Sequence, residues 1–387
     1  MAFTPFVPLR VFSAYTMLEG AIEPKAFGKH AKQLGFPAIA ICDRNGLYGA
    51  MPFGDGAKAE GVQPVIGTLL GIARPGSEEQ GGFVRDWLAL YAQDQAGYEN
   101  LCRLVSMAHL DRPEGQDAHV TIEQLAPHTG GLIALTAGAE GAVTRLLSGE
   151  QKDAASAYLD QLQKLFPQRL YIELSRRGDA DEEAAERSLI DLAYARDIPL
   201  VASNPANFAE PDFCEAHDVM LCIADGEYVE SEDRRKSSRD AWIKTGKQMA
   251  ELFSDLPEAI SNTLVVAQRC GVEAPRRAPI LPSLAGDLEG EAKQLRDDAR
   301  AGLEARLEKL EIADADERQV YFDRLDFECK VICDMGFPGY FLIVADFIKW
   351  AKERDIAVGP GRGSGAGSVV AWSLTITDLD PIKLGLL

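Results

Sequence analysis

A run of glycines near the carboxyl end of the sequence has the spacing most suggestive of chemistry. In VGPGRGSGAGSVV (358–370), every second residue from Gly359 to Gly367 is glycine. Glycine accepts positive φ angles and lets the backbone approach a ligand without a Cβ in the way. Successive N–H groups of such a loop form a concave anion site, to which Arg362 and Ser364 add donors suited to phosphate oxygens. The pattern predicts a triphosphate-binding loop, with a flexible or tightly packed turn as the alternative.

Two familiar phosphate motifs do not fit this loop. A Walker loop requires GxxxxGK[ST], and no lysine follows these glycines. A dinucleotide fingerprint requires GxGxxG, which glycines at every second position do not supply. The loop therefore predicts a phosphate site of another kind.

Residues that could hold a metal ion are sparse. Asp378 and Asp380 form a D-x-D pair, but Asp380 precedes a proline and is typical of a turn. Cys329 and Cys333 stand four residues apart without a second pair, which is a poor metal site. No two histidines form an HxH pair; they are His30, His109, His119, His128 and His217. We expect no metal site and no catalytic residue in the chain, and a structural role for His217.

Composition and charge narrow the class of protein. The chain has 387 residues, 46% hydrophobic, which predicts an ordered globular protein of two or more domains. Its net charge of −20 argues against a protein that coats nucleic acid over its whole surface. A local basic channel stays possible, because Lys349, Lys352 and Arg354 precede the glycine loop and Arg362 lies in it.

The cellular compartment follows from what the sequence lacks. The start, MAFTPFVPLR, has no basic region followed by an apolar core, so it does not resemble a secretory signal. No apolar run approaches the roughly 18 residues needed to span a bilayer. Seven cysteines without CxxC pairs fit a reducing compartment. We expect a cytoplasmic protein that does not bind a membrane.

The elements that must position the loop fall into two regions. Six apolar runs, separated in several places by amphipathic helical segments, predict an α/β sheet or barrel with parallel strands. They are 36–43, 62–72, 86–92, 130–138, 168–175 and 198–204. The proline-rich segment VEAPRRAPILPSLAGD (272–287) predicts a domain boundary. Beyond it, helices are predicted over 289–310, 317–336 and 340–355, and a further helix over 368–376 as the chain leaves the loop.

Several segments resemble the family of bacterial DNA polymerase III alpha subunits. The resemblance is carried by MGFPGYF through the GPGRGSGAGS loop and ITDLDP (335–387), by LCIADGEYV (221–229) and by FVPLRVFSAYTMLEGA (6–21). It covers essentially the whole chain. It implies a PHP domain, a distorted (β/α) barrel, over 1–271, a linker over 272–288, and over 289–387 the first, mostly helical part of a nucleotidyltransferase-like palm.

The resemblance assigns a role to the glycine loop. In this family the GRGS segment contacts the phosphates of the incoming deoxynucleotide, which implies that Arg362, Gly363 and Ser364 bind phosphate and that Gly361 and Gly365 shape the loop. Nucleotide addition needs two divalent ions held by carboxylates. In the family these carboxylates follow the ITDLDP segment on a later strand, so the complete polymerase needs Mg²⁺ and we expect this chain alone not to polymerise DNA.

The same resemblance implies a PHP domain that has lost its metal ligands. Other residue types stand at the family's ligand positions, and Arg44 follows Asp43 where a histidine is expected; the others are Pro8, Phe12, Leu69, Trp87, Pro205 and Asn207. Proline, phenylalanine, leucine and tryptophan offer no suitable donor atom. A guanidinium repels a cation. We therefore expect no metal in this domain, no hydrolase activity, and a role for Asp43 as a cap or ion-pair partner.

The implied partners are primer–template DNA, deoxynucleoside triphosphates, a separate proofreading exonuclease subunit and other replicase subunits. In family members with a degenerate PHP domain, that domain acts as a scaffold and docking surface. Two alternatives stay open: a PHP-type metal-dependent phosphoesterase, and a catalytically silent scaffold that binds an exonuclease. The error-prone alpha-type polymerase is a close cousin of the replicative form, which the even spread of the resemblance favours.

Overall fold

The computed structural model of the chain describes residues 5–77, 82–277, 280–361 and 363–386. It divides into two compact units, Met1–Pro275 and Arg276–Leu387. We call them unit 1 and unit 2. Each unit encloses its own clusters of buried apolar side chains.

Unit 1 is built on a sheet whose strands lie in the order of the sequence. All six apolar runs predicted as strands form strands. They are β1 (Ala38–Arg44), β2 (Gln63–Ala73), β3 (Arg85–Ala92), β4 (Leu132–Leu135), β5 (Leu170–Leu174) and β6 (Leu200–Ala202). Side chains of β1 alternate between two apolar clusters: Ile39 and Ile41 belong to one, and Ala38, Ala40 and Cys42 to the other. Burial on both faces explains why these strands read as continuous apolar runs.

The expectation of parallel strands is wrong for β3. Parallel pairing joins β1 to β2, β4 to β5 and β5 to β6. Strand β3 runs antiparallel to both β2 and β4. The connection from Ala73 to Arg85 is shorter than the dozen or more residues that a parallel crossover needs, so the chain returns in the opposite direction.

The amino-terminal segment 8–13 closes this sheet into a distorted barrel. On one side, the backbone amides of Ala40 and Cys42 in β1 donate to carbonyls of the segment, each at 2.9 Å. On the other side, Ala206, which follows β6, exchanges two backbone hydrogen bonds with it. The segment therefore bridges the first and last strands. The expected fold class, a distorted (β/α) barrel, is confirmed by this curled six-stranded sheet, and its boundary at residue 271 stays a prediction.

Helices of unit 1 pack their apolar faces on the sheet. They are α1 (Phe27–Leu34), α2 (Ala50–Ala59), α3 (Gln95–Leu110), α4 (Ile122–Leu125), α5 (Ala142–Ser148), α6 (Lys152–Leu165), α7 (Ala180–Ala195), α8 (Cys214–Asp225), α9 (Gly246–Leu252) and α10 (Pro257–Arg269). Side-chain caps set several starts. Asp94 accepts from the Gly97 amide before α3, and Asp179 accepts from two amides of the first turn of α7.

Unit 2 is helical in its described part, as expected. Its helices are α11 (Leu288–Lys309), α12 (Ala315–Asp334), α13 (Pro338–Lys352) and α14 (Val369–Ser373), and a 3-10 helix spans Gly363–Gly367. The last helix is shorter than the predicted 368–376, because Thr375 takes a φ of +63° and ends it. A Cβ at Gly302 of α11 would lie 2.1 Å from the Ser373 carbonyl oxygen, so glycine permits the close approach of α11 and α14.

Among the described residues, no single helix is long and apolar enough to cross a membrane. Helices α12 and α13 reach that length and composition only as a pair, and the pair is bent by 114°.

Candidate functional site

The glycine loop lies in unit 2 between α13 and α14. Its 3-10 helix, Gly363–Gly367, leads through Ser368 into α14. Gly361 and Gly363 are exposed to solvent. Of the predicted phosphate-binding residues, Arg362 lies outside the described residues, and so does the side chain of Ser364. Among the described residues, the backbone of the loop is thus open to solvent at Gly361 and Gly363.

The glycines of this loop differ in what a Cβ would meet, and at Gly361 it would lie 3.2 Å from the Leu379 side chain. A Cβ built at Gly359, Gly363 or Gly365 meets no atom within 4 Å, whereas one at Gly367 would lie 2.5 Å from the Leu386 carbonyl oxygen. Gly363 also has a φ of +47°, which favours glycine. Packing within the protein therefore explains Gly367, and backbone conformation explains Gly363. Neither explains Gly359 or Gly365, where the absence of a side chain leaves open space.

The entrance of the loop is tied to the turn that follows α14. The Asp378 amide donates to the Pro360 carbonyl oxygen at 2.7 Å. The Asp378 carboxylate accepts from Arg306 and from Lys352, each at 2.8 Å. Burial by itself raises the pKa of Asp378, but the bonds and charges of Lys352 and Arg306 outweigh it and hold the pKa below its usual value. Asp378 acts as an ion-pair partner.

Asp380 has a separate set of partners. Its carboxylate accepts from the Tyr321 hydroxyl at 2.8 Å and from the amides of Ile382 and Lys383, each at 3.0 Å. Burial and the hydrogen bond to Asp380 raise the pKa of Tyr321, so its hydroxyl stays protonated and donates. Asp380 thus caps a turn, and Asp378 forms ion pairs. With these partners, the D-x-D pair does not offer two free carboxylates to a pair of cations.

The basic residues beside the loop differ in their partners and in their exposure to solvent. Lys352 is engaged by Asp378 and by the Thr375 carbonyl oxygen, to which it donates at 2.9 Å. The Arg354 guanidinium lies 4.1 Å from the centre of the Trp350 ring, and both residues are exposed. Lys349 is also exposed. Of the basic residues that precede the loop, Lys349 and Arg354 are thus the accessible charges among those described.

In unit 1, the residues at the carboxyl end of β1 take part in a network of hydrogen bonds and ion pairs. Asp43 accepts from the Ser13 amide at 2.7 Å, from the Ser13 hydroxyl at 2.6 Å and from the Thr16 hydroxyl at 2.7 Å. Burial raises the pKa of Asp43, and these hydrogen bonds oppose the rise. Asp43 therefore braces the loop after segment 8–13, in keeping with the predicted capping role.

Arg44 and Phe12, at predicted former ligand positions, lie together in this network. The Arg44 guanidinium lies 5.2 Å from the centre of the Phe12 ring and donates to Glu19 and to Glu140, each at 2.6 Å. Arg10, fully buried, donates to the other oxygen of Glu140 at 2.9 Å. One carboxylate thus links two guanidiniums, which lie 5.7 and 5.2 Å from the centre of the same aromatic ring, and the resulting positive charges do not attract a metal cation.

Glu173 completes the network from β5. Its two carboxylate oxygens each accept from Arg10 at 3.1 Å, and the Ser203 hydroxyl donates to it at 2.5 Å. We did not predict Arg10, Glu140 or Glu173. A signal existed for two of them, because a charged residue inside an apolar run, as in PLRVF or LYIEL, requires a buried partner.

The remaining predicted positions of this site contribute packing or backbone atoms. Leu69 is fully buried and pairs in register with Arg44. Asn207 donates to the Glu19 carbonyl oxygen at 3.3 Å, and the Pro205 carbonyl oxygen accepts from Arg177 at 2.8 Å. Pro8 is buried in segment 8–13. Within the described ranges, no group of three or more His, Cys, Asp or Glu side chains converges as a metal site.

His217 has structural partners on both ring nitrogens. Nε2 lies 2.7 Å from the Glu19 carbonyl oxygen, and Nδ1 lies 2.7 Å from the Ser237 hydroxyl. A carbonyl oxygen only accepts, so Nε2 carries the proton and Nδ1 accepts from Ser237. Burial lowers the pKa of His217. The neutral ring therefore fastens α8 to the loop that contains Glu19.

The barrel of unit 1 and the loop-bearing helical unit define a PHP-type domain joined to the beginning of a polymerase region. Residues 8–177 match the PHP domain, and residues 293–387 match the bacterial DNA polymerase III alpha NTPase domain. The chain belongs to the family of bacterial DNA polymerase III alpha subunits, whose N-terminal part it matches.

Curated relatives support this membership over nearly the whole chain. The DNA polymerase III subunit alpha of Caulobacter vibrioides is 47% identical over 99% of this chain, and that of Rickettsia bellii is 41% identical over 99%. The subunit of Pseudomonas aeruginosa is 38% identical over 99%. The chain spans 33% of the length of each of these relatives.

A weaker likeness exists to a solved structure. A putative metal-dependent phosphoesterase from Bifidobacterium adolescentis aligns with 51% of this chain and 86% of its own, with a TM-score of 0.36 and 15% identity.

Proposed function

We propose that these residues form the N-terminal part of a DNA polymerase III alpha subunit, which carries out DNA-templated deoxynucleotidyl transfer in chromosomal replication in the cytoplasm. In this proposal 1–271 is a degenerate PHP domain, 272–288 a linker and 289–387 the beginning of the palm. The glycine loop of unit 2 receives the triphosphate of the incoming nucleotide. The observation that supports this role most directly is the open space at Gly359 and Gly365, for which the protein itself gives no reason.

The proposed phosphate-binding residues are Gly361, Arg362, Gly363, Ser364 and Gly365. Backbone amides of a glycine loop reach an anion closely because no Cβ intervenes. The Arg362 guanidinium offers a planar fork of donors that matches phosphate oxygens, and Ser364 adds a hydroxyl. Together these groups would orient the phosphates of a deoxynucleoside triphosphate before its reaction with a primer.

The residues present do not fit the Mg²⁺ ions that the complete polymerase requires. Asp378 is neutralised by Arg306 and Lys352, and Asp380 is committed to Tyr321 and two backbone amides. These two carboxylates are therefore not assigned to the catalytic metal ions. In this proposal the chain binds a nucleotide and does not by itself join it to a primer on template DNA.

Nucleotide binding by the 387-residue chain tests this function. Titration calorimetry with deoxyadenosine triphosphate should show one saturable site. Arg362→Ala should weaken binding by about 10-fold or more, because a charge-assisted hydrogen bond contributes roughly 1.5–3 kcal/mol. Arg296→Ala, an exposed arginine of α11, is the matched control and should leave the affinity unchanged. Equal affinity of the wild-type chain and Arg362→Ala would reject the role of the loop.

Unit 1 has a second candidate function, as a scaffold that docks the proofreading exonuclease and other replicase subunits. The ion-pair network of Arg10, Arg44 and Glu140 supports it, because this network occupies the strand ends where a PHP phosphoesterase would need ligands. Co-elution of the chain with a purified proofreading exonuclease subunit would support the scaffold. Manganese-dependent release of phosphate from a phosphomonoester would instead favour the phosphoesterase.

A further inference from the structure

Glu328 of α12 joins the exit of the glycine loop to the body of unit 2. One of its carboxylate oxygens accepts from the Ser368 hydroxyl at 2.7 Å and from the Val370 amide at 3.0 Å. The other accepts from Arg324 at 2.7 Å. The Glu328 side chain is only 9% exposed. A single buried carboxylate thus holds two residues just after the loop.

Ser368 passes this restraint on to α14. While its hydroxyl donates to Glu328, the same oxygen accepts from the Ala371 amide at 3.0 Å and so caps the helix. Helix α14 is buried along its whole length. A restraint on Ser368, which caps this helix, is therefore also a restraint on α14. The hydrogen bonds of Glu328 therefore fix the position of the residues at which the chain leaves the loop.

Between its two ends, the described residues of the loop differ in how closely the protein packs on them. Its entrance is held by the hydrogen bond from the Asp378 amide to the Pro360 carbonyl oxygen. Inside, Gly367 lies close to the Leu386 carbonyl oxygen, but Gly365 touches no neighbouring atoms in the direction of a Cβ. A glycine-rich segment loses much conformational entropy when it becomes ordered, and ordering it before a ligand arrives strengthens binding. The anchors at the two ends therefore control the shape of the anion site.

We infer that Glu328 is a positioning residue, which pre-orders the exit of the glycine loop for a nucleoside triphosphate. The inference rests on the proposed function for the identity of the ligand. Glu328 itself does not contact the nucleotide; it acts through Ser368 and Val370. Burying a carboxylate costs free energy of desolvation, which its hydrogen-bond partners only offset. The presence of Glu328 at the loop exit is therefore better explained by the conformation that it fixes than by a gain in stability.

The test uses the 387-residue chain, deoxyadenosine triphosphate and four variants. Glu328→Ala removes all three hydrogen bonds and should weaken nucleotide binding about 10-fold. Glu328→Gln keeps one carbonyl oxygen for Ser368 and Val370 and should restore affinity to within about 3-fold of the wild type. Arg324→Ala removes one hydrogen bond of Glu328 but leaves those to Ser368 and Val370 intact, so its affinity should also stay within about 3-fold of the wild type. Glu291→Gln alters a buried glutamate of α11 away from the loop and is the control for general damage.

Two readouts separate positioning from a merely structural role. Combined with Arg362→Ala, Glu328→Ala should weaken binding little further, because both changes act through the same loop. Amide hydrogen exchange over 358–374 should rise about 10-fold in Glu328→Ala and stay unchanged in Glu291→Gln. Additive losses of affinity, or failure of Glu328→Gln to restore binding, would overturn the positioning role.

The exchange measurement needs no ligand, so it distinguishes the two proposals. If the wild-type chain does not bind deoxyadenosine triphosphate, the proposed function fails. Faster exchange of the loop in Glu328→Ala alone would still support Glu328 as its anchor. Unchanged exchange in that variant would reject the anchor, whether or not the nucleotide binds.

Discussion

The Arg44 guanidinium lies 4.6 Å from the centre of the Trp87 ring, so that a cation and an aromatic face meet where the family resemblance expects metal ligands. Glu19 and Glu140 fix the guanidinium there. A positive charge held in place by two carboxylates opposes the approach of a divalent ion. The position of the Arg44 guanidinium beside Trp87 therefore disfavours metal binding in unit 1.

Manganese should not stabilise the protein. A ligand that binds only the folded state raises its unfolding temperature, and a PHP cluster saturated with metal would raise it by several degrees. Because Asp43 is taken up by Ser13 and Thr16, we expect millimolar Mn²⁺, or its removal by a chelator, to shift the midpoint by less than about 1 °C. Thermal unfolding by circular dichroism measures this. A saturable rise of the unfolding temperature with Mn²⁺ that Asp43→Asn abolishes would show that Asp43 binds metal, and would contradict its assignment as a hydrogen-bond partner of Ser13 and Thr16.

Arg10→Met should destabilise unit 1 strongly. The change leaves the carboxylate of Glu173, which is fully buried, without its cation, and breaking a buried ion pair in this way costs about 3–5 kcal/mol. The control is Arg187→Met on α7, whose side chain is 86% exposed and should matter by less than about 0.5 kcal/mol. Urea denaturation, fitted with separate transitions for the two units, compares them. Similar free energies of unfolding for both variants would count against the network.

Glu140→Gln should be most damaging near neutral pH. Burial by itself raises the pKa of Glu140, but the charges of Arg44 and Arg10 outweigh it and leave the pKa below its usual value. Such a carboxylate stabilises the fold above its unfolded pKa of about 4.3, and this contribution is lost as the pH falls through the lower folded pKa. The gap in unfolding free energy between wild type and variant should therefore narrow below about pH 4. A gap that stays constant from pH 7 to pH 3 would show that charge plays no part.

Two neighbouring glycines of the loop should respond differently to alanine. Gly367→Ala places a Cβ 2.5 Å from the Leu386 carbonyl oxygen and should cost roughly 1–3 kcal/mol of stability. Gly365→Ala meets nothing and should change stability by less than about 0.5 kcal/mol. Its methyl group would instead occupy space assigned to the phosphates and lower nucleotide affinity about 10-fold. Chemical denaturation and calorimetry together test the pair, and unchanged affinity in Gly365→Ala would remove that residue from the site.

Local pattern was sufficient for the strands, but not for the contacts that hold the glycine loop. The strands of unit 1 are apolar on both faces, so their runs stand out; the reversed direction of β3 depends on the short connection before it, which apolar pattern does not report. The alternating glycines located the loop, and its role in phosphate binding stays a prediction. Their anchors are different: Glu328 meets Ser368 across forty residues of sequence, and no periodicity joins them.

The same limit applies to the network in unit 1. Arg10 and Glu173 were each visible as a charge inside an apolar run, but their partnership spans 163 residues and arises only when the barrel closes. The family resemblance places Phe12, Arg44 and Trp87 at histidine positions and so implied the loss of metal ligands. It did not show that Glu140 would link two guanidiniums in their stead, because that link depends on a short turn near the end of β4.

Closure of the barrel by segment 8–13 has a consequence for how the protein is made. The segment forms half of its backbone pairing with Ala206, so its second neighbour does not exist until roughly 200 residues have left the ribosome, on the order of ten seconds or more at bacterial rates of synthesis. During that interval the nascent sheet presents an unpaired edge, the kind of surface to which other unfolded chains adhere. Segment 8–13 is therefore among the last parts of unit 1 to become ordered, although it is synthesised before the strands that it joins.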